Sequence, residues 1–184
     1  MRVICAVFFL AALALSTPGL AGQGEPQRPA FIPEEFVFLN GGTKNLPSGA
    51  TVAAQEYALP GDTENNYRES IMVIYRFSDK QGIKQPAAEM AWFKSEMLRT
   101  CAGSEAETIS YPGQPGSPAG MWASCPKDCA TGKPNILYTK SVLYGAPDGR
   151  VIAATVQRTV SGEKPRHSLE QIRDWVEGLK SLMP

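Results

Sequence analysis

The sequence predicts an α+β fold, an antiparallel β-sheet with two α-helices packed on one face. Three observations carry this. From residue 35 onward most of the chain falls into short runs in which apolar residues alternate or cluster as in strands. Only two stretches, beginning at Pro86 and after Ser168, repeat apolar residues at three- and four-residue steps. The order is strands, helix, strands, helix, with Gly- and Pro-containing turn signals between them.

EFVFL (35–39) reads as a strand ending at the turn signal Asn40-Gly41-Gly42, and TVAAQEYAL (51–59) as a second ending at Pro60-Gly61-Asp62. In SIMVIYRF (70–77), Ile71, Val73, Tyr75 and Phe77 alternate with Met72, Ile74 and Arg76, which gives a strand with one well-buried face. Pro86 then suits a first helical position. Met90, Phe93, Met97 and Cys101 form one apolar stripe before Gly103 stops the helix. Trp92 lies off that stripe.

ETISY (107–111) is followed by PGQPGSPAG, too rich in Pro and Gly for regular structure and expected to be a mobile surface loop. GMWASC (120–125) reads as a short strand. ILYTKSVLY (136–144) and RVIAATVQRTV (150–160) flank a Pro-Asp-Gly turn and make a hairpin. Ser168 with Gln171 forms a capping box, and Leu169, Ile172, Val176 and Leu179 line one face of a last helix, with Trp175 beside it as core.

The chain opens with Arg2, an apolar run from Val3 to Leu15, then Pro18 and the small residues Gly19 and Ala21. This is the pattern of an export signal cleaved near Gly22. The run is shorter than the roughly 20 residues of a spanning helix. Cys5 stands near its beginning rather than at its end, which does not fit a lipid anchor. The expected organisation is a cleaved signal over 1–21, a flexible segment over 22–33 and a single domain over 34–184, periplasmic or secreted. Removing 1–21 takes one of 18 basic residues and none of 18 acidic ones, leaving a net charge of −1. A chain so nearly neutral has no electrostatic reason to bind nucleic acid.

Three cysteines remain, and SCPKDCATGKP (124–134) holds two of them. As a phosphate loop it fails, because Lys127 stands where the first glycine belongs and Pro134 where the metal-binding hydroxyl belongs. A zinc set of Cys101, Cys125, Cys129 and His167 has the right count, but exported thiols become disulfides first. A thiol oxidoreductase carries two residues between its cysteines, and here there are three. A structural disulfide remains. Loop entropy gives about 2 kcal/mol for closing 125–129 and roughly 3.5 kcal/mol for 101–125 or 101–129, so it leaves the partner of Cys101 open.

Trp122-Ala123-Ser124-Cys125-Pro126 followed by Ala130-Thr131-Gly132-Lys133 resembles a stretch in a family of short, uncharacterised exported proteins of Gram-negative bacteria. Gln55 to Asp62, ahead of Tyr67, is similar to that family's strand and polar turn. The likeness covers islands within residues 50–160. It implies a Cys101–Cys125 bridge, leaves Cys129 as this chain's departure and a possible free thiol, and lends no activity. The element order also resembles the PsbP-like α+β group at the level of fold.

The remaining chemistry is sparse. His167 is the only histidine, so a hydrolase would have to use it, and its place ahead of Ser168 suits packing at a helix start. No metal or cofactor is called for. GDTENNYRES (61–70) sets Asn65, Asn66, Tyr67 and Arg68 in one loop, the kind of residues that anchor interfaces. The expectation is an exported protein that binds a protein or small-molecule partner in the cell envelope, in an accessory, secretion-associated or immunity-like role. The competing expectation is an envelope enzyme, either thiol exchange through Cys125 and Cys129 or a hydrolase using His167.

Overall fold

The computed structural model describes residues 28–47, 49–63, 66–78, 85–127, 132–145, 151–161 and 165–183. The expected signal at 1–21, Asn65 and Cys129 lie outside them. Seven strands form one sheet: β1 (Val37–Asn45), β2 (Thr51–Ala58), β3 (Glu69–Ser78), β4 (Glu105–Ser110), β5 (Ala119–Cys125), β6 (Asn135–Gly145) and β7 (Val151–Ser161). Helix α1 (Pro86–Thr100) follows β3, and α2 (Leu169–Gly178) follows β7. The spatial order is β1-β2-β3-β7-β6-β5-β4, with each neighbouring pair antiparallel. This is an α+β fold, an antiparallel sheet with two helices packed against it, as the sequence predicts.

The helices do not share a face. Met90, Met97 and Cys101 of the α1 region pack on Ala119, Met121, Ala123, Cys125 and Leu137. Ile172 and Val176 of α2 pack on Tyr138 and Val160, with Trp122 and Ile136 beside them. Successive strand residues point to opposite faces, so Met121 and Ala123 meet α1 while Trp122 between them turns toward α2. Strands β6 and β7 are buried at most positions on both faces, as strands covered on both sides are, although Thr, Lys, Ser, Gln and Arg interrupt their apolar runs.

The largest apolar cluster lies on the α2 face. It joins Tyr57, Ile71, Val73, Tyr75, Val142, Ala154 and Val156 to Ile32 and Phe36 from the N-terminal segment and to Leu182 from the C-terminal one. Ile32 is 4% exposed, and two tight turns, Ile32 N–H to Pro29 O and Phe36 N–H to Pro33 O, both 3.0 Å, fold this segment onto the core. Packing therefore begins before Glu35, within the stretch expected to be flexible, because Ile32 supplies apolar area that the surrounding prolines conceal in the pattern.

Asn40-Gly41-Gly42 is not a turn. Strand β1 runs through it with a register shift between Phe38 and Asn40. A Cβ on Gly41 would lie 2.7 Å from the Ala54 carbonyl oxygen, so glycine here permits close approach of two backbones. The reversal comes later, where Leu46 N–H donates to Ala50 O and Gly49 adopts φ 82°. The Pro- and Gly-rich loop before β5 is irregular, but Gly116 O accepts from Leu143 N–H at 3.1 Å and ties it to β6.

Helix α1 begins at Pro86 and ends with Cys101 N–H donating to Met97 O. Helix α2 has the expected capping box: Gln171 N–H donates to Ser168 Oγ at 3.1 Å, and Ser168 N–H donates to Gln171 Oε1 at 2.8 Å. Its C-terminal carbonyls are met from the sheet, where buried Lys140 donates to Glu177 O and Leu179 O at 2.9 and 2.7 Å. Leu169 lies off the buried face at 38% exposure, and Trp92 is also exposed. No described helix is long and apolar enough to cross a membrane.

Candidate functional site

At one end of the sheet β2, β5 and β7 finish and β3 and β6 begin, so the connections after residues 58, 125 and 161 meet there. Two motifs singled out in the sequence come together in this place. Lys133 Nζ, from the cysteine-containing stretch, donates to Asn66 Oδ1 at 2.7 Å, from the polar loop 67 residues earlier.

The polar loop is shaped from within. Leu59-Pro60-Gly61-Asp62 is a turn closed by Asp62 N–H to Leu59 O at 3.0 Å, with proline second and Gly61 third at φ 86°. Thr63 and Asn66 exchange backbone hydrogen bonds at 3.2 and 3.1 Å. Arg68 donates from its backbone and from Nε to the two oxygens of Asp62, at 2.8 and 2.9 Å, and from Nη2 to Pro60 O at 3.1 Å. Arg68 thus fixes the loop while its side chain stays 54% exposed, and half-buried Tyr67 sits between it and Asn66.

Directly inward lies a buried ionic cluster. Glu69 is fully buried and Arg158 is 2% exposed. Arg158 Nη2 donates to Glu69 Oε2 at 3.0 Å, His167 Nδ1 lies 2.8 Å from the same oxygen, and His167 N–H donates to Glu69 Oε1 at 2.7 Å. His167 Nε2 faces Glu35 Oε1 at 3.3 Å. The Arg158 guanidinium lies 5.1 Å from the centroids of both Phe36 and Trp175.

Burial alone would raise the Glu69 carboxyl. Hydrogen bonds from the His167 backbone and ring and from Arg158 outweigh it and hold the group below its ordinary value. Burial pulls Arg158 down from a very high ordinary value, against the pull of Glu69, and it stays a cation.

In a hydrolase of the serine type, one ring nitrogen faces the nucleophile and the other an orienting carboxylate. Both ring nitrogens of His167 face carboxylates instead. The cluster joins the N-terminal segment, β3, β7 and the start of α2.

Cys101 and Cys125 form a disulfide with Cα atoms 6.0 Å apart, linking the end of α1 to the end of β5. Both sulfurs are thereby taken up. Among the described residues no group of three or more His, Cys, Asp and Glu is placed to hold a metal ion.

Sequence reasoning passed over Glu69 and Arg158. The available signal was an arginine in line with Ile152, Ala154, Val156 and Val160, on the apolar face of its strand, where it requires a buried partner. Asn135 and Ser161 were likewise missed. They are 3% and 6% exposed, and Asn135 Oδ1 and Nδ2 and Ser161 Oγ have no hydrogen-bond partner among the described residues.

Neither a known protein family nor a curated sequence matches the chain. Among solved structures it is similar to LpqN, a protein involved in cell envelope biogenesis of Mycobacterium tuberculosis, at 19% identity over 75% of each chain with a TM-score of 0.44. At that distance nothing about this chain's chemistry follows from the likeness.

Proposed function

We propose that this is an exported cell-envelope protein that binds a protein or small-ligand partner without catalysing a reaction, in an accessory, secretion-associated or immunity-like role. Its contact residues are Asn65, Asn66, Tyr67 and Arg68 of the polar loop. The observation that carries the reading is the Lys133–Asn66 bond, which gathers two sequence-distant polar motifs at one end of the sheet.

Four further features support it. The turn at Pro60-Gly61 and the Asp62–Arg68 pair pre-organise the loop, which lowers the entropy lost on binding. His167 is engaged on both sides by Glu69 and Glu35, which speaks against its use as the base of a hydrolase. Cys125 is bridged to Cys101, which favours a structural use of sulfur over exchange with Cys129. The opening Arg2-to-Ala21 pattern and the disulfide together suit an oxidising compartment outside the cytoplasm.

The test uses the full chain expressed in a Gram-negative host, with a photo-reactive residue at position 67 or, as control, at Glu107 on the far edge strand. The expected result is a periplasmic product lacking residues 1–21 and carrying one disulfide, with a discrete cross-linked adduct from position 67 only. The adduct should persist in His167→Gln. Equal adducts at both positions, or a product retained in the cytoplasm, would sink the reading.

A further inference from the structure

Behind the rim, the sheet ends on two polar side chains that no described residue satisfies. Asn135 opens β6 and Ser161 closes β7, and the two are paired in the antiparallel register. Their side chains therefore stand on one face, with Cβ atoms about 4.5–5.5 Å apart. Asn135 also pairs with Cys125, so the disulfide steadies its other flank. Roughly nine in ten buried polar atoms in native proteins are paired, yet here an amide oxygen, an amide nitrogen and a hydroxyl side by side are not.

We infer that Asn135 and Ser161 form a subsite for a neutral amide group, the unit offered by a peptide backbone or a small carboxamide. The chemistry of the pair selects it. The Asn135 carboxamide presents an acceptor and donors side by side in one plane. A carboxylate would be repelled by Oδ1 and an ammonium by the Nδ2 hydrogens. A primary carboxamide satisfies both atoms at once, its syn N–H donating to Oδ1 and its carbonyl accepting from Nδ2; an extended peptide does the same with the N–H and C=O of a single residue, which point to one side of the strand, and Ser161 Oγ adds a third bond.

The rim controls the approach. Ser161 N–H donates to Arg68 O at 2.9 Å, and Asn66 and Lys133 stand two residues outward from Arg68 and Asn135. Their bond links the two connections that leave the sheet beside the orphaned pair, and in this reading an amide entering from that end parts it. The subsite rests on the binding reading of the rim and gives it a ligand class.

The experiment follows the Asn135 side-chain amide signals of the ¹⁵N-labelled protein during titration with N-acetylalanine N′-methylamide, and in parallel with propionate and propylammonium. The diamide should shift the signals saturably while the two ions leave them in place. Asn135→Asp should weaken binding about tenfold or more, as expected for losing a buried donor. Ser161→Ala, which removes only a hydroxyl, should weaken it less and keeps the test open should Asn135→Asp fail to fold. Lys133→Ala should tighten binding, because closure no longer competes.

Tetra-alanine binding more tightly than the diamide identifies a polypeptide as the source, and equal binding a small amide. Either supports the subsite. No saturable shift, an equal response to the ions, or a crystal soaked in the diamide that holds only ordered water against Asn135 would overturn it. A cross-link at position 67 that survives such a failure would leave the rim standing and remove only the subsite.

Discussion

Helix α1 lies over β4, β5 and β6 through Met90, Met97 and a disulfide at its end, whereas α2 lies on the opposite face over β6 and β7 through Ile172, Val176 and an ion cluster at its start. The cluster under α1 is built largely from methionine and alanine. The α2 side adjoins the main core, with Phe36, Tyr57, Leu59, Ile71 and Leu182 almost wholly buried. A thin apolar contact is thus reinforced covalently, and a thick one encloses charges. A disulfide acts mainly by restricting the unfolded chain, so it tolerates change around it. A buried ion pair depends on every member being present, and its value lies in fixing one arrangement more than in net stability.

The comparison breaks most visibly at Glu69. Glu69→Gln keeps the volume but leaves Arg158 as a buried cation without its counter-charge, a loss of about 3–5 kcal/mol. Urea unfolding should show it, and a loss under about 1 kcal/mol would mean that water reaches Arg158. The same carboxylate sets an acid limit. Its folded-state value is depressed below 4.5, so its contribution is complete above that pH and is lost as pH falls through the folded value. The stabilities of the native protein and Glu69→Gln should therefore converge on acidification. Parallel curves down to pH 2 would contradict the assignment.

Opening the bridge probes the other half. Replacing Cys101 and Cys125 by serine removes a closure of sequence separation 24, worth about 3.5 kcal/mol on the loop-entropy estimate. Hydrogen exchange should rise first in α1 and β4, with β3 and β7 still protected. Faster exchange in α2 than in α1 would show that the two halves do not separate in this way.

Most of this architecture was legible because it is local. Period-two runs marked the strands, Pro86 and the Met90–Met97 stripe marked α1, and Ser168 with Gln171 marked α2 down to its capping bonds. What escaped is what local pattern does not encode. Gly41 looks like a turn residue until Ala54 of the neighbouring strand is placed against it. Which face a helix takes depends on strand order, which brings β7 between β3 and β6. The ion cluster joins residues 35, 69, 158 and 167, and no spacing rule connects them. The polar loop was visible as composition, but its link to Lys133 was not, since the contact spans two connections and the end of a third strand.

The finest test of the division between the halves uses the smallest effect. Ser168→Ala removes the acceptor of Gln171 N–H and should cost about 1 kcal/mol. Ser168 follows His167, whose backbone N–H donates to Glu69, so loosening this cap also loosens the cluster. In double-mutant cycles Ser168→Ala should couple to Glu69→Gln by more than about 0.5 kcal/mol, since groups in one network do not add. With the serine pair at positions 101 and 125 it should add within about 0.5 kcal/mol, because the sheet lies between the two sites. Equal coupling to both would mean that strain passes through the sheet, and that the ionic and covalent fastenings act as one unit rather than two.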